Sequence, residues 1–488
     1  MLRRLRPNLI NINFRSFNSF KAFFHSQNKT DRRIFMMTRF GPPINREMKE
    51  LDRSFFTKEV DLVVLVFPDP SKLGGFVKDC KQDVLYIPSV KHIVDVGSNK
   101  GVLLHEKNQD LSTFQDNLSD NTKQYIKEFG LIPQIYKFKL DYNFWRADDI
   151  LRAVLPEKLL DEIPTGFAQA GHVAHINLRD EFKPFGKLIG QVILDKNSKV
   201  ETVVDKIDSI GSKFRTFQMD VLAGKDDLLV EQSESGCRFR FDFSKVYWNS
   251  RLNTEHERLI SSFGSNGGVV GDVFAGVGPF AVPAGKKKIF VLANDLNPES
   301  YKYLQENIKL NKTDDFVKSS NLDGRDFIKQ SAKLLIEWAD AAGTIEEKKL
   351  IKKRKHSENQ PAVFDTVKYT IPKYFSDYVM NLPDSALTFL DEFIGLYSDP
   401  EVEKVVKSIP EFKLPTINVH CFEKFSSNEP EPTMEELHSR IHAKIIKIID
   451  FDLPIEEFKF HLVRKVAPTK PMFCVSFTLP EEVAFKKF

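Results

Sequence analysis

The 488-residue sequence contains only four cysteines, which lie far apart along the chain: Cys80, Cys237, Cys421 and Cys474. They form no Cys-x-x-Cys pair and have no zinc-binding spacing, so the sequence predicts a reducing compartment and no bound metal. Long apolar runs are missing as well. A helix that crosses a bilayer needs roughly 20 consecutive apolar residues, and no run in the chain approaches that length. We therefore expect no membrane partner.

The chain also lacks an excess of charge of one sign. It has 71 basic and 68 acidic residues, which gives a formal net charge of +3 at pH 7. The whole molecule is therefore not a polycation, and any surface for nucleic acid has to be a local patch. The length predicts two to four domains, and a hydrophobic content of 41% is enough to build their cores.

Acidic residues are absent from residues 1–30, where basic residues alternate with Leu, Ile and Phe, with serines between them. The basic residues of this alternating pattern are Arg3, Arg4, Arg6, Arg15 and Lys21. This composition is typical of a mitochondrial presequence, so we expect residues 1–35 to be disordered and to direct the protein to the mitochondrial matrix. The alternative is a disordered basic arm that contacts RNA. Initiation at Met36 or Met37 would give a form without the presequence, which would stay in the cytoplasm or nucleus.

Three regions follow this segment. Residues 46–150 carry no chemical motif and are interpreted as a binding or docking domain. Residues 151–250 alternate short strand and helix patterns and are expected to form a small α+β domain. Residues 251–488 hold the motifs described below. A stretch near 331–368 interrupts their pattern with the basic run at 348–355, and it is either a solvated insertion or a phosphate-binding segment.

A glycine turn follows a short apolar run at residues 269–274, which is suited to a buried parallel strand. Gly276 and Gly278 lack a Cβ, so a ligand can lie against the bare backbone there. Pro279 suits the first turn of a helix. A second strand ends just before Asp295. An acidic residue roughly 20 positions after such a turn is placed to bind the two hydroxyls of a ribose.

The ligand of this turn is predicted to be S-adenosylmethionine (SAM) and not a dinucleotide. Ala281 stands where the dinucleotide fingerprint has its third glycine, although alanine is an accepted variant there. Asp272 precedes the turn and Phe280 follows it. The resulting Asp-x-x-x-Gly-x-Gly pattern, with a later ribose-binding acid, is usual in SAM-dependent methyltransferases. Asp323 and Gly324, at the end of the next predicted strand, are placed to contact the adenine edge.

The elements predicted after residue 251 alternate between strand and helix and end in an antiparallel hairpin. This order predicts an α/β, Rossmann-type methyltransferase domain with a mostly parallel sheet and helices on both faces, preceded by two smaller α+β domains. Ligands of such sheets bind at the carboxyl ends of the strands. The glycine turn, Asp295 and the sequence Asn381-Leu382-Pro383 each follow a predicted strand, so we expect them to meet on one rim.

Asn381-Leu382-Pro383 is similar to the Asn-Pro-Pro-type signatures of methyltransferases that act on planar nitrogens. The proline fixes the turn, and the asparagine offers both an amide and a carbonyl. The sequence then resembles the class I, archaeal and eukaryotic type of tRNA (guanine(37)-N1)-methyltransferase in five segments: KVYWNSRL at 245–252, TEHER at 254–258, DVFAGVGPF at 272–280, NDLNP at 294–298 and NLP at 381–383. The resemblance runs from about residue 165 to the C-terminus, and the first domain matches only in length and position.

The resemblance implies a monomer in which an N-terminal domain docks tRNA, a small second domain contributes to the active site, and a Rossmann-type domain carries out catalysis. It implies transfer of a methyl group from SAM to N1 of the guanosine at tRNA position 37, next to the anticodon, with contacts to the anticodon stem-loop and the body of the tRNA. It also implies the residues that bind SAM: His256, Asp272, Phe274, Gly276, Gly278, Pro279, Asp295, Leu296, Asp323, Gly324 and Asn381.

Catalytic roles follow from the same resemblance. Guanine N1 carries a proton at neutral pH, so its methylation needs a base, which contributes about 10²–10⁴ in rate. Glu255 fits the family's glutamate, and Glu257 is the competing choice. The family's arginine falls on Arg215, where it would stabilise the charge that develops on O6. Asn381 would hold the guanine edge, and Pro383 would set the loop.

Two other functions remain open at this stage. A sister family uses the same scaffold in wybutosine synthesis and transfers the aminocarboxypropyl arm of SAM instead of the methyl group. The Asn381-Leu382-Pro383 sequence and the Glu255 segment favour the methyltransferase. The third hypothesis is a non-catalytic RNA-binding protein that retains an inactive pocket.

Overall fold

The computed structural model describes residues 39–87, 90–108, 110–207, 218–263, 268–352 and 363–487. The predicted presequence at residues 1–35 lies outside these ranges. The chain divides into two compact units. The first unit comprises Met1–Phe167, Leu178–Ser198 and Leu222–Gly224. The second comprises Ala168–Asn177, Lys199–Val221 and Lys225–Phe488. Residues 151–250, expected to form one small domain, are thus shared between the two units.

The first unit is built on a four-stranded antiparallel sheet with the order β2-β3-β1-β4. Its strands are β1 (Lys58–Phe67), β2 (Ile93–Val96), β3 (Asn99–Leu103) and β4 (Ile132–Leu140). The unit also contains helices α1 (Leu73–Asp79), α2 (Asp120–Phe129), α3 (Ala147–Val154) and α4 (Gly186–Lys196). Val63 and Leu65 of β1 pack with Phe76 of α1 in a core on one face of this sheet. Burial of these apolar side chains stabilises the unit.

The second unit begins with two small sheets. The first has the order β5-β6-β7-β8 and contains β5 (Ala168–Ala170), β6 (Val173–Ile176), β7 (Thr202–Ile207) and β8 (Gln218–Gly224), of which residues 218–221 belong to this unit. The second is an antiparallel hairpin of β9 (Leu229–Glu234) and β10 (Cys237–Asp242). In β10, buried residues alternate with exposed ones, as the sequence CRFRFD predicts for a strand with one covered face.

The large sheet of the second unit has seven strands in the order β13-β12-β11-β16-β17-β19-β18. Its strands are β11 (Val269–Asp272), β12 (Val291–Asn294), β13 (Val317–Ser320), β16 (Phe375–Met380), β17 (Thr416–Phe422), β18 (Lys459–Ala467) and β19 (Lys470–Thr478). The first five strands of this order pair in parallel. Strand β19 is antiparallel to both β17 and β18. The predicted Rossmann-type sheet with a C-terminal antiparallel hairpin is therefore confirmed.

Helices cover both faces of the large sheet. Successive residues of a strand point to opposite faces: Val269 of β11 packs with α8 (Gly324–Ala342) and α10 (Met434–Ile449). Val270 packs on the other side with α5 (Asn253–Ser262), α6 (Ala281–Lys286) and α7 (Pro298–Asn311). The remaining helices are α9 (Pro400–Lys407) and α11 (Glu481–Ala484). Within the described ranges, no helix is both long and apolar enough to span a bilayer.

The predicted insertion near 331–368 is corrected by the structure. Ser331, Ala332 and Leu335 lie in α8 and are buried in the core, so the stretch begins inside a helix of the domain. Only the part after α8 departs from the Rossmann pattern. It contains an antiparallel hairpin of β14 (Thr344–Lys352) and β15 (Val363–Thr370). The sequence pattern hid this boundary because the amphipathic period of α8 continues into polar residues without a proline or a helix-ending glycine before Gly343.

Candidate active site

The glycine turn lies at the carboxyl end of β11, in the middle of the large sheet. Gly276 and Gly278 have φ values of 55° and 98°, a region that residues with a Cβ rarely adopt. A Cβ on Gly278 would also lie 2.7 Å from a methyl carbon of Val282 and 2.8 Å from one of Leu304. Only glycine therefore fits at position 278 without a steric clash.

Asp295 closes the turn from the end of the neighbouring strand. Its Oδ2 accepts a hydrogen bond of 2.8 Å from the Gly276 N–H, and its Oδ1 accepts one of 2.9 Å from the Asn297 N–H. Burial raises the pKa of Asp295 to about 6, although these two hydrogen bonds oppose the rise. Asp295 is thus fixed against the turn, and its binding of a ribose stays a prediction.

Asp272 is fully buried beside the turn. Neither of its carboxylate oxygens forms a hydrogen bond of ordinary length and angle with a described residue, although the Phe274 N–H lies near enough to oppose the rise of its pKa. Burial, together with the negative charge of Asp295, raises the pKa of Asp272 well above its usual value. An unpaired buried carboxyl is costly, so this one fits a site whose ligand brings positive charge or hydrogen-bond donors.

Asn294 joins the ends of three neighbouring strands. Its amide group donates to the carbonyls of Val273, at 3.2 Å, and Leu322, at 3.0 Å. Its Oδ1 accepts hydrogen bonds of 2.9 Å from the Ser320 hydroxyl and from the Leu322 N–H. Sequence analysis did not single out Asn294. Its signals were its position next to Asp295 and its place in the NDLNP segment, but its hydrogen bonds to the neighbouring strand ends are visible only from the tertiary contacts.

The other predicted cofactor residues lie around this edge. Asp323 precedes α8, and its side chain accepts from the Arg325 N–H as a helix cap. A Cβ on Gly324 would lie 2.8 Å from the Phe274 ring, so the two residues are close neighbours. The Leu296 carbonyl accepts a hydrogen bond of 3.1 Å from the Asn321 amide. Pro279 is half-buried, between the turn and α6.

His256 has a different environment from the other predicted cofactor residues. Its Nδ1 lies 2.5 Å from Oε1 of Glu234, and both side chains are buried. The imidazole packs edge-on against Phe280, with 4.7 Å between the ring centroids. His256 thus contacts Phe280, which follows the turn, and its hydrogen-bond partner is Glu234, the last residue of β9.

Glu255, the predicted base, lies on α5 with only 4% of its surface exposed. Arg258 forms a bidentate pair with it: Nε donates to Oε2 at 2.7 Å and Nη2 donates to Oε1 at 2.8 Å. His420 Nε2 lies 2.8 Å from Oε1. Glu257, the competing choice, is exposed to solvent. Burial and charge single out Glu255 of the two carboxylates.

The contacts between Glu255, Arg258 and His420 shift the pKa values of Glu255 and His420. Burial raises the pKa of Glu255, but the hydrogen bonds from Arg258 and His420 outweigh it and bring the pKa to about 2. Burial lowers the pKa of His420, but the contacts with Cys474 and Glu255 outweigh it and raise the value to about 10. At neutral pH the pair is a carboxylate and an imidazolium. The ligand atoms of Glu255, His420 and Cys474 lie within 4.8 Å of one another, but Arg258 already donates to both Glu255 oxygens, so a metal ion here would have to compete with the guanidinium.

Asn381 and Glu255 lie on the same side of the sheet edge. Met380, the last residue of β16, is paired with Val419 of β17. Asn381 and His420 are the next residues of these parallel strands, and His420 contacts Glu255. The Asn381 Oδ1 is buried without a hydrogen-bond partner among the described residues. The Pro383 carbonyl accepts a hydrogen bond of 3.1 Å from the Phe422 N–H, which ties the Asn-Leu-Pro loop to the end of β17.

The structure thus brings together most of the predicted site residues on one rim. Arg215 lies outside the described residues, so its role stays a prediction. Sequence analysis missed Arg258 and His420 as partners of Glu255. Arg258 had a signal, because residues three apart on a helix are neighbours. His420 had none, because it lies 165 residues from Glu255 in the sequence.

Comparisons with known proteins agree with this geometry. The model of the TRM5/TYW2 methyltransferase domain matches residues 230–342, and the model of the TYW2 N-terminal domain matches residues 147–227. The chain is 60% identical over 460 residues to a tRNA (guanine(37)-N(1))-methyltransferase of Candida albicans, covering 92% of this chain and 100% of the relative. It is 49% identical over 479 residues to the protein of the same name from Saccharomyces cerevisiae, covering 91% and 95%.

Solved structures share the fold at low sequence identity. The crystal structure of Trm5b from Pyrococcus abyssi is 21% identical with a TM-score of 0.52, covering 86% of this chain and 99% of that one. The complex of aTrm5 and tRNALeu is 17% identical with a TM-score of 0.53, covering 86% of this chain and 100% of that one. At these identities the structures support the architecture and not the roles of individual residues.

Proposed function

The chain belongs to the family of tRNA (guanine(37)-N(1))-methyltransferases, and on this premise we propose that it transfers the methyl group of SAM to N1 of guanosine 37 in tRNA. One structural observation carries the proposal to the level of residues. At a single sheet edge, a glycine turn with two buried carboxyl groups follows β11, Asn381 follows the neighbouring strand β16, and the buried carboxylate of Glu255 contacts His420 of the next strand, β17. The glycine turn and its carboxyl groups suit the methyl donor, SAM. The carboxylate of Glu255 and the Asn381 side chain suit the methyl acceptor, guanine.

The donor end is assigned to the turn and its two carboxyl groups. SAM carries a sulfonium and an ammonium group, and its ribose has two hydroxyl donors. Asp295 is held so that a ribose approaching the turn meets a carboxylate, and the unpartnered oxygens of Asp272 offer acceptors for the cationic part of the ligand. The bare backbone at Gly276 and Gly278 leaves room for close approach.

The acceptor end is assigned to Glu255, Asn381 and the loop at Pro383. Glu255 is ionised at neutral pH, so it is in the form that accepts a proton. The unpartnered Asn381 Oδ1 is available to an N–H on the guanine edge. The sulfonium makes the methyl group reactive, and the protein's contribution is to align N1 with it, which can supply about 7–11 kcal/mol. Arg215 remains the predicted donor to O6.

The test is direct. We expect purified protein with SAM to convert guanosine 37 of a tRNA transcript to N1-methylguanosine, detected by mass analysis of the nucleosides. A transcript with adenosine at that position is the matched control and should stay unmodified. Bound tRNA without any modified guanosine would contradict the proposal and favour the non-catalytic reading.

The wybutosine-pathway activity is the second candidate because the TYW2 N-terminal domain model matches residues 147–227. The identities of 60% and 49% to curated methyltransferases favour methyl transfer. The same mass measurement distinguishes the two, because the aminocarboxypropyl arm is much heavier than a methyl group.

Localisation and assembly complete the proposal. We expect a reporter fused to residues 1–35 to enter mitochondria, because its first 30 residues are rich in basic and apolar side chains and contain no acidic residue. Replacing Arg3, Arg4, Arg6, Arg15 and Lys21 with glutamine should abolish import. A fusion that stays in the cytosol would favour the alternative of an RNA-contacting arm. We also propose a monomer, which sedimentation of the purified chain tests.

A further inference from the structure

A row of three side chains lies across the antiparallel end of the large sheet, in contact with Glu255. His420 of β17 is directly opposite Cys474 of β19, and Cys474 is directly opposite His461 of β18. Directly opposed residues of antiparallel strands project to the same face. His420 is fully buried, whereas the His461 side chain is 46% exposed. The row therefore leads from the buried base towards solvent.

The two oxygens of Glu255 are not equally occupied. Oε1 accepts hydrogen bonds from both Arg258 Nη2 and His420 Nε2, which use its two lone pairs. Among the described residues, Oε2 accepts one, from Arg258 Nε. The carboxylate can therefore take a further proton at Oε2 without losing a partner. His461 Nε2 lies 3.5 Å from that same oxygen, about half an ångström beyond an ordinary hydrogen bond.

The charges around Glu255 decide where a proton comes to rest. With a pKa of about 2, Glu255 does not retain a proton at neutral pH. His420 is already protonated, with its pKa raised to about 10, and Arg258 is always charged. Burial, together with the charge of Arg258, lowers the pKa of His461 below its ordinary value, so its imidazole is neutral at pH 7. Among the described imidazole and guanidinium groups beside the carboxylate, His461 is thus the one that is uncharged.

We propose that His461 receives the proton that Glu255 removes from guanine N1 and passes it to solvent. The inference rests on the proposed function and extends it. As the methyl group bonds to N1 and leaves the sulfonium, the N1–H bond breaks and its proton moves to Glu255 Oε2, then to His461 Nε2, then to water. The products are N1-methylguanosine, S-adenosylhomocysteine and a released proton. His461 acts through Glu255 and does not touch the base.

This relay predicts that the rate of methyl transfer depends on pH and falls at low pH. The groups that face His461 are Glu255 and Arg258 on α5, His420 on β17 and Cys474 on β19. Below its pKa His461 carries a proton and cannot accept another, so the rate of methyl transfer falls as pH decreases. Glu255 and His420 keep their charges through this range, since their pKa values are about 2 and about 10.

Single-turnover methyl transfer across pH 5 to 8, with full-length protein, SAM and tRNA, tests the relay. We expect His461→Gln to lower the rate at pH 7.5 by about 10–100-fold and to remove the acidic inflection seen with the wild type. We expect His461→Ala to lose as much activity and to recover part of it with added imidazole, because the position is open to solvent. A purely structural role would not produce this rescue.

Lys459→Gln is the matched control. It changes an exposed residue two positions away on the same face of β18, so it perturbs the strand without touching Glu255, and it should leave both rate and inflection unchanged. SAM affinity, measured by calorimetry, should be equal in all four proteins. An unchanged rate in His461→Gln, or a loss with the inflection kept and no imidazole rescue, would overturn the relay. A wild type that makes no N1-methylguanosine at any pH would instead refute the proposed function.

Discussion

Glu255→Gln is expected to lower the single-turnover rate of methyl transfer by about 10²–10⁴-fold, which is the contribution of a positioned base. Glutamine keeps the size of the side chain and one acceptor oxygen, so Arg258 retains part of its contact. It cannot take the N1 proton. Affinity for SAM should stay within about twofold, because the predicted cofactor contacts are made at the glycine turn and at Asp295. Rapid-quench measurement of methylated tRNA gives the rate, and calorimetry gives the affinity.

Glu257→Gln is the matched control, since it makes the same change two residues away on an exposed position of the same helix. It should leave the rate unchanged. Loss of activity in Glu257→Gln with normal activity in Glu255→Gln would assign the base to the other glutamate. Glu255→Gln leaves the buried His420 with a neutral partner, so thermal unfolding of each variant should be recorded. If Glu255→Gln unfolds, Glu255→Asp, which keeps the charge, should fold and be slow because its carboxylate is withdrawn.

Asp295→Asn is expected to weaken SAM binding by about 100-fold at pH 8, because hydrogen bonds to a charged acceptor contribute about 1.5–3 kcal/mol each. The substitution also turns one oxygen into an N–H donor. That donor would face the N–H of either Gly276 or Asn297, both of which now donate to the carboxylate. The turn loses its support together with the predicted ribose contact. Calorimetric titration with SAM measures the effect.

The size of this effect should depend on pH. The pKa of Asp295 is raised to about 6, so the wild-type carboxyl is ionised above that value and protonated below it. Hydroxyl donors and a cationic ligand favour the ionised form. The difference in affinity between wild type and Asp295→Asn should therefore be greatest at pH 8 and should shrink as pH falls below 6. Asp314→Asn, an exposed change before the amino end of β13, should bind SAM like the wild type at every pH. A difference that persists unchanged at pH 5 would contradict the assignment.

Local patterns allowed much of the fold to be predicted. The apolar run before the glycine turn, the strand ending at Asn294 and Asp295, and the strand before Asn381 are all strands in the structure. Their prediction succeeded because a buried parallel strand has a continuous apolar sequence and a turn needs particular residues at its bends. The insertion boundary failed because the first part of the stretch continues the amphipathic pattern of α8, and the residue that marks the end of this helix, Gly343, lies inside the stretch.

The sequence by itself determined that the Rossmann strands are mostly parallel and that a glycine turn with two carboxyl groups lies among them, because these features depend on residues close to one another along the chain. Its resemblance to the methyltransferase family indicated the glutamate that is the predicted base. Only the tertiary structure decided which groups surround that glutamate. His420 and His461 come from strands 165 and about 200 residues further on, and they reach Glu255 because β17, β19 and β18 pair at the end of the sheet and α5 packs over them. Protonation in this cluster follows from burial and distance, which no single stretch of sequence specifies.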